Sequence, residues 1–186
     1  LRELCKELIS IEFKLIIIAA LLLLALISDL KTYRIKNSIT YGFMFVGLTA
    51  NLAIEGFEGL VFSLQGIMLP AACLIVLYMM RVVGAGDVKL LSAVGAVMGA
   101  GFALYATAYS FICGGFIASA VILLSRNGKE RFRYLITYIK SCLLSMELLK
   151  YADFQDKQKT GKFHFSIAVV SGTAAVIIVH GMELVL

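Results

Sequence analysis

The sequence predicts an all-α, polytopic membrane protein with about six transmembrane helices and an amphipathic helix at the cytoplasmic membrane surface. Three observations carry this reading. Of the 186 residues, 61% are hydrophobic and the mean hydropathy is +0.94, whereas soluble domains are usually nearer half apolar. Several apolar runs approach the roughly 20 residues that cross a hydrocarbon core of about 30 Å. Residues 15–28 (LIIIAALLLLALIS) and 164–182 (HFSIAVVSGTAAVIIVHGM) have almost none of the polar face that a helix of a soluble bundle presents to water. One membrane-embedded domain, 1–186, suits this length, and no low-complexity tract or internal repeat divides it.

Spans are expected at roughly 13–29, 38–54, 60–80, 88–101, 103–124 and 163–184. Arg2, Lys6 and Lys14 precede the first apolar run, as in a secretory signal. No small-x-small cleavage site follows it, however, and a basic stretch from Lys31 to Lys36 does, so it reads as a retained helix. The fourth span is short and rich in small residues (Ala93, Gly95, Ala96, Gly99, Ala100). Small residues let backbones approach closely in lipid, which places this segment inside the bundle. Between the fifth and sixth spans, Phe132, Leu135, Ile136, Ile139 and Leu143 recur at helical spacing with Arg131, Arg133 and Lys140 among them. That pattern predicts a surface helix over roughly 130–148; Lys140 and Glu147 argue against a seventh span. The polar stretch YADFQDKQKTGK after it reads as a loop.

Basic residues orient the chain. Lys31, Arg34 and Lys36 follow the first span, Arg81 and Lys89 flank the turn after the third, and nine more lie between Arg126 and Lys162. The loops after spans two and four have none, and the former carries Glu55 and Glu58. Counted by the positive-inside rule, odd-numbered loops are cytoplasmic and both termini outside. Arg2, Lys6 and Lys14 count the other way, although Glu3, Glu7 and Glu12 interleave with them. The same topology explains the net charge of +5 without nucleic acid as a partner. Cys5, Cys73, Cys113 and Cys142 are far apart, with no C-x-x-C pair, which removes the usual zinc signature and any disulfide framework. Cys73 and Cys113 fall inside apolar runs and are expected as small core residues. His164 and His180 lie near the ends of the last span without a ligand constellation. No metal or other cofactor is implied.

Of the twelve acidic residues, only Asp29 and Asp87 lie flush against cytoplasmic ends of apolar spans. Asp29 closes the first helix after one crossing and Asp87 opens the fourth after three, so both sit on one face. Each alone has an ordinary reading as a solvated helix end, and Asp87 also as an N-cap. Together in a low-dielectric pocket, two carboxyls cannot both ionise and their pKa values separate. One can then take a proton from water while the other gives one to a carbonyl, which hydrolyses a peptide bond without a nucleophilic side chain or a metal. Gly84 and Gly86, lacking a Cβ, allow positive φ or the close passage of another backbone beside Asp87. No strand precedes them and G-x-G-x-x-G is absent, so this is not a dinucleotide fingerprint.

The stretch GAGDVKLLSAVGAVMG resembles the G-x-G-D-x-K-L motif of the bacterial and archaeal type IV prepilin peptidases. DLKTYRIKNSIT resembles their other motif, in which Asp is followed after five residues by Ile-Pro-Asn. Asp29, Ile35 and Asn37 match, and Lys36 stands where the proline usually is. KFHFSIAVVSG is similar to the family's last helix, without its prolines. The resemblance covers nearly the whole chain and implies an aspartyl endopeptidase of the cytoplasmic membrane. Such an enzyme cuts the short basic leader from prepilins or pseudopilins of type IV pilus and secretion systems, after a glycine and at the cytoplasmic face. It implies Asp29 and Asp87 as the catalytic pair, with Gly84, Gly86, Asn37 and Lys89 as motif or substrate-binding residues. The cysteine-paired methylating domain of long members has no counterpart here, which resembles the short, peptidase-only branch. Lys89 reads either as a contact to an acidic substrate residue or as a lysine snorkelling to the interface.

Other classes fit less well. A non-catalytic membrane subunit of a pilus or secretion assembly would keep the spans but need neither aspartate. A proton-coupled transporter wants acids near the bilayer midplane, and none lies mid-span. Presenilin-like proteases share G-x-G-D but need more spans.

Overall fold

A computed structural model describes residues 2–80, 83–124 and 165–180. They form α1 (Arg2–Thr32), α2 (Asn37–Glu55), α3 (Phe57–Met79), α4 (Ala85–Met98), α5 (Ala100–Leu124) and α6 (Phe165–His180). Among the described residues there is no strand. The chain divides into two compact units, residues 1–114 with 164–186 and residues 115–163. The described part of the second is the end of α5 from Gly115; all that follows concerns the first. The expected surface helix at 130–148 lies outside the described residues, as do Arg81 and His164.

The 31 residues of α1 contain no Gly or Pro and many strong helix formers. The helix stops at Tyr33, which takes a left-handed φ of 53° and donates its N–H to Asp29 O at 2.8 Å. Side-chain hydroxyls then fix the turn to α2. Ser28 Oγ donates to Arg34 O at 3.0 Å, and Thr32 Oγ1 lies 2.8 Å from Ser28 O and 2.9 Å from Arg34 O. The Lys36 N–H donates to Ser28 Oγ at 3.3 Å. Lys36 itself has φ −67° and ψ 131°, the φ that a proline would impose. The geometry of the missing proline is therefore present, held by a hydrogen bond that proline could not make.

A single residue, Gly56 (φ 64°), joins α2 to α3, its N–H donating to Leu52 O at 2.9 Å. Helix α3 then packs against α4 at very close range. A Cβ on Gly95 would overlap the Gly66 carbonyl oxygen, and one on Gly66 would overlap that of Gly95. Pro70, the chain's single proline, has no N–H to give the Gly66 carbonyl four residues earlier. At the same end of α4, Asn51 Nδ2 lies 2.8 Å from Ser63 Oγ, 3.1 Å from Ala96 O and 3.3 Å from Val97 O. The last carbonyls of a helix have no partner within it, and buried Asn51 supplies one.

Every residue from Leu90 to Met98 is buried, as the small residues of this segment led one to expect. Ser10–Thr32, Phe57–Met79 and Ala100–Val121 are long and apolar enough to cross a membrane, and the protein is a membrane protein. The six-span expectation is met by length and composition in these three. The 14 residues of α4 rise only about 21 Å, and α2 carries Asn37, Ser38, Thr40, Thr49 and Asn51. The break between α4 and α5 falls at Gly99 (φ 88°), two residues before the expected boundary, because hydropathy runs unbroken across it.

Two readings of individual residues change. Cys73 is exposed and Cys113 half-buried, so neither is a core residue. In lipid the outer face is as apolar as the core, which is also why Phe45 and Met79 are exposed. Lys14 is buried, 3.4 Å from Glu55 and 5.3 Å from the centroid of the Phe62 ring. Its charge is matched locally, so it weighs little in the count of loop charges.

Candidate active site

Asp29 lies in the last turn of α1, where the apolar run ends, and is only 8% exposed. On one side α1 packs against α4, on another against α6. From α6 the buried Ser166 donates its hydroxyl to Asp29 Oδ2 at 2.6 Å. Ser28, the neighbouring residue, faces the turn instead, so adjacent polar residues divide the work of fixing the loop and lining the site.

Asp87 is the third residue of α4. Gly84, not Asp87, is the N-cap residue, with extended φ −76° and ψ 149°. Its carbonyl accepts from the Asp87 N–H at 3.1 Å and the Val88 N–H at 3.3 Å. The Asp87 carboxyl in turn accepts a backbone hydrogen bond at Gly84, the returning half of a capping box. A Cβ on Gly84 would stand 3.1 Å from Asp87 Oδ2, tight enough to push the carboxyl away. Neither Gly84 nor Gly86 takes positive φ, so the expected conformational role is absent at both. Gly86 instead faces Ile35 of the first loop, where a Cβ would make an ordinary 3.5 Å contact.

Asp87, at the very start of α4 before its apolar stretch, has its pKa pushed up from 3.8 to about 6. Burial is the main cause and the Asp29 carboxylate the second, with the hydrogen bond at Gly84 opposing both. The two aspartates, 58 residues apart in sequence, are thus close enough for the charge of one to resist ionisation of the other. A carboxyl that titrates near neutrality beside a second carboxyl suits proton transfer in both directions.

Two of the remaining motif residues meet each other. Lys89 Nζ donates to Asn37 Oδ1 at 3.0 Å and lies 5.0 Å from the centroid of the Tyr41 ring. A residue from each of the two motif stretches is therefore joined directly. Tyr41 and Ser166 were not singled out in the sequence. Tyr41 follows Asn37 by one helical turn, a spacing that could have drawn attention to it; Ser166 has no such signal. Among the described residues no three His, Cys, Asp or Glu side chains are grouped to hold a metal ion.

A family model described as the type IV leader peptidase family matches residues 16–119. No curated protein and no solved structure matches. The matched region contains both aspartates and more than half of the 186 residues, and by that match the chain belongs to the type IV leader peptidase family, a family of peptidases.

Proposed function

We propose that the chain is an aspartyl endopeptidase of the cytoplasmic membrane that removes the leader from type IV prepilins or pseudopilins at the cytoplasmic face. Asp29 and Asp87 would activate one water between them. The observation that carries this is a buried Asp87 close enough to Asp29 to feel its charge: burial first, and the Asp29 carboxylate second, raise the Asp87 pKa to about 6. One carboxylate takes a proton as the water oxygen bonds to the scissile carbonyl carbon, and the other carboxyl protonates the carbonyl oxygen. When the tetrahedral intermediate collapses, the C–N bond breaks and the first carboxyl protonates the departing nitrogen. The second recovers its proton from the diol, and the pair is reset.

Gly84, lacking a Cβ, leaves space beside the Asp87 carboxyl for an extended substrate strand, and Gly86 packs on Ile35 of the first loop. Lys89, anchored by Asn37, offers a positive charge to an acidic residue beside the cut. The proposed frame is six spans with both termini outside and a surface helix near 130–148 on the cytoplasmic side. Cysteine labelling from outside should reach a probe at Glu55 and miss one at Lys157; the reverse result overturns the orientation.

The function is tested by incubating the purified chain, in liposomes, with prepilin-type precursors and weighing the products. Loss of a basic leader ending in glycine is the expected result. Intact precursor across a panel of prepilins and pseudopilins would refute the substrate class.

A further inference from the structure

We propose that Ser166 is a positioning residue, which fixes the Asp29 carboxylate as the member of the pair that accepts the proton of the attacking water. This rests on Asp29 and Asp87 being the reacting carboxyls.

Three other buried hydroxyls show the common arrangement. Thr107 donates back to Ala103 O at 2.7 Å, Ser110 to Ala106 O at 2.6 Å, and Thr173 to Val169 O at 2.7 Å. Each uses the carbonyl one turn earlier on its own helix, the common resting place of a buried hydroxyl. Ser166, near the start of the described part of α6, does not follow this pattern. Its proton goes instead to Asp29 Oδ2, 137 residues away, at 2.6 Å. Ser166 is wholly buried, and water cannot replace its hydroxyl without repacking α6.

The rest of α6 holds this donor still. The Phe165 ring packs on Phe111, with centroids 5.7 Å apart. Gly172 lies so close to Ser110 that a Cβ there would overlap its backbone, and Ala168 and Val169 are buried. A rigid donor on one carboxylate oxygen arrests rotation about the Cβ–Cγ bond and sets the plane of the carboxylate relative to Asp87. It also divides the roles. A hydroxyl has one proton to give, and an Oδ2 that receives it is an acceptor already. The water's proton passes to Asp29, and Asp87 supplies the proton to the substrate carbonyl. Residue 166 lies beyond the region matched to the family, 16–119.

The test compares Ser166→Ala, which removes the donor, with Ser166→Thr, which keeps it but adds a methyl group in a filled space. Steady-state cleavage of a prepilin-type precursor is measured for both in liposomes, alongside Asp29→Asn and Asp87→Asn. If Ser166 positions Asp29, Ser166→Ala lowers kcat about tenfold to a hundredfold with KM unchanged, the size expected for a hydrogen bond to a charged group. Ser166→Thr then stays well above Ser166→Ala. A serine that merely packs gives the opposite order, because alanine fits its space and threonine does not. A kcat for Ser166→Ala equal to or above that of Ser166→Thr overturns the proposal. If the two Asn variants are inactive while Ser166→Ala matches the wild type, the positioning role fails and the aspartate pair stands. Activity in either Asn variant removes both.

Discussion

Lys89 Nζ donates to Asn37 Oδ1 at 3.0 Å, and through that one bond the first residue of α2 is tied to α4. The lysine also lies over the Tyr41 ring, so its ammonium is held by a carbonyl-type acceptor and an aromatic face. Such a cation keeps a large attraction for an acidic group that approaches it.

Lys89→Met keeps the apolar stem and removes the charge. For precursors with an acidic residue beside the cut, KM should rise about tenfold. For the same precursors with that residue neutralised, KM should be unchanged. Equal losses on both would make Lys89 a staple of the fold instead of a substrate contact.

Asp87→Asn should stabilise the protein while it destroys activity. Because the folded pKa of about 6 exceeds the ordinary 3.8, the folded state binds more protons than the unfolded state between those values. The stability linked to Asp87 is thus present below about pH 4 and lost as pH rises through about 6. Asn is spared that loss, so its thermal midpoint should match the wild type at pH 4 and exceed it at pH 7.5, where its unfolding free energy gains up to about 3 kcal/mol. A midpoint lowered at pH 7.5 would mark Asp87 as a stabilising cap.

Asn51→Ala leaves Ser63 and the carbonyls of Ala96 and Val97 without their buried donor. Each orphaned group costs about 1–3 kcal/mol, so the folded fraction in detergent should fall sharply. Cleavage per folded molecule should be retained, since the site lies at the far end of α4. Loss of kcat in the folded fraction would show that the two ends of α4 are coupled.

Lys36→Pro should be nearly neutral. The φ of −67° already suits proline, and the price is the one N–H bond to Ser28 Oγ, about 1 kcal/mol, offset in part by a stiffer unfolded chain. Ser28→Ala, which removes both Oγ contacts, should lower the thermal midpoint more. A Lys36→Pro variant that fails to fold would mean that this turn is not held as described.

How much of this was legible before any coordinates follows from what each residue's signal depends on. Asp29 and Asp87 could be placed on one face by counting crossings, which needs only the hydrophobic runs. The small residues of the fourth segment correctly marked a buried helix because close approach leaves a compositional trace. Asn51 and Ser166 were illegible for the same physical reason as Cys73. In lipid, inner and outer faces are both apolar, so periodicity does not say which way a lone polar or small side chain turns. The stop at Gly99 was hidden by continuous hydropathy, since the break is a matter of φ and not of polarity. The N-cap at Gly84 shows the reverse: aspartate is the commoner cap, yet here Asp87 serves three residues further on.

The central claim is that Asp29 and Asp87 act as one unit, and the most direct measurement is precursor cleavage by purified Asp29→Asn, Asp87→Asn and the double variant in liposomes, scored by product mass. Asn keeps the shape of each side chain and much of its hydrogen bonding, so each variant should insert and accumulate like the wild type. Each single change should abolish leader removal, and the double change should cost no more than either alone, because a shared water needs both carboxyls. Leader removal at wild-type rate by either purified Asn variant would contradict the pair and leave Asp87 the ordinary task of helping to cap α4.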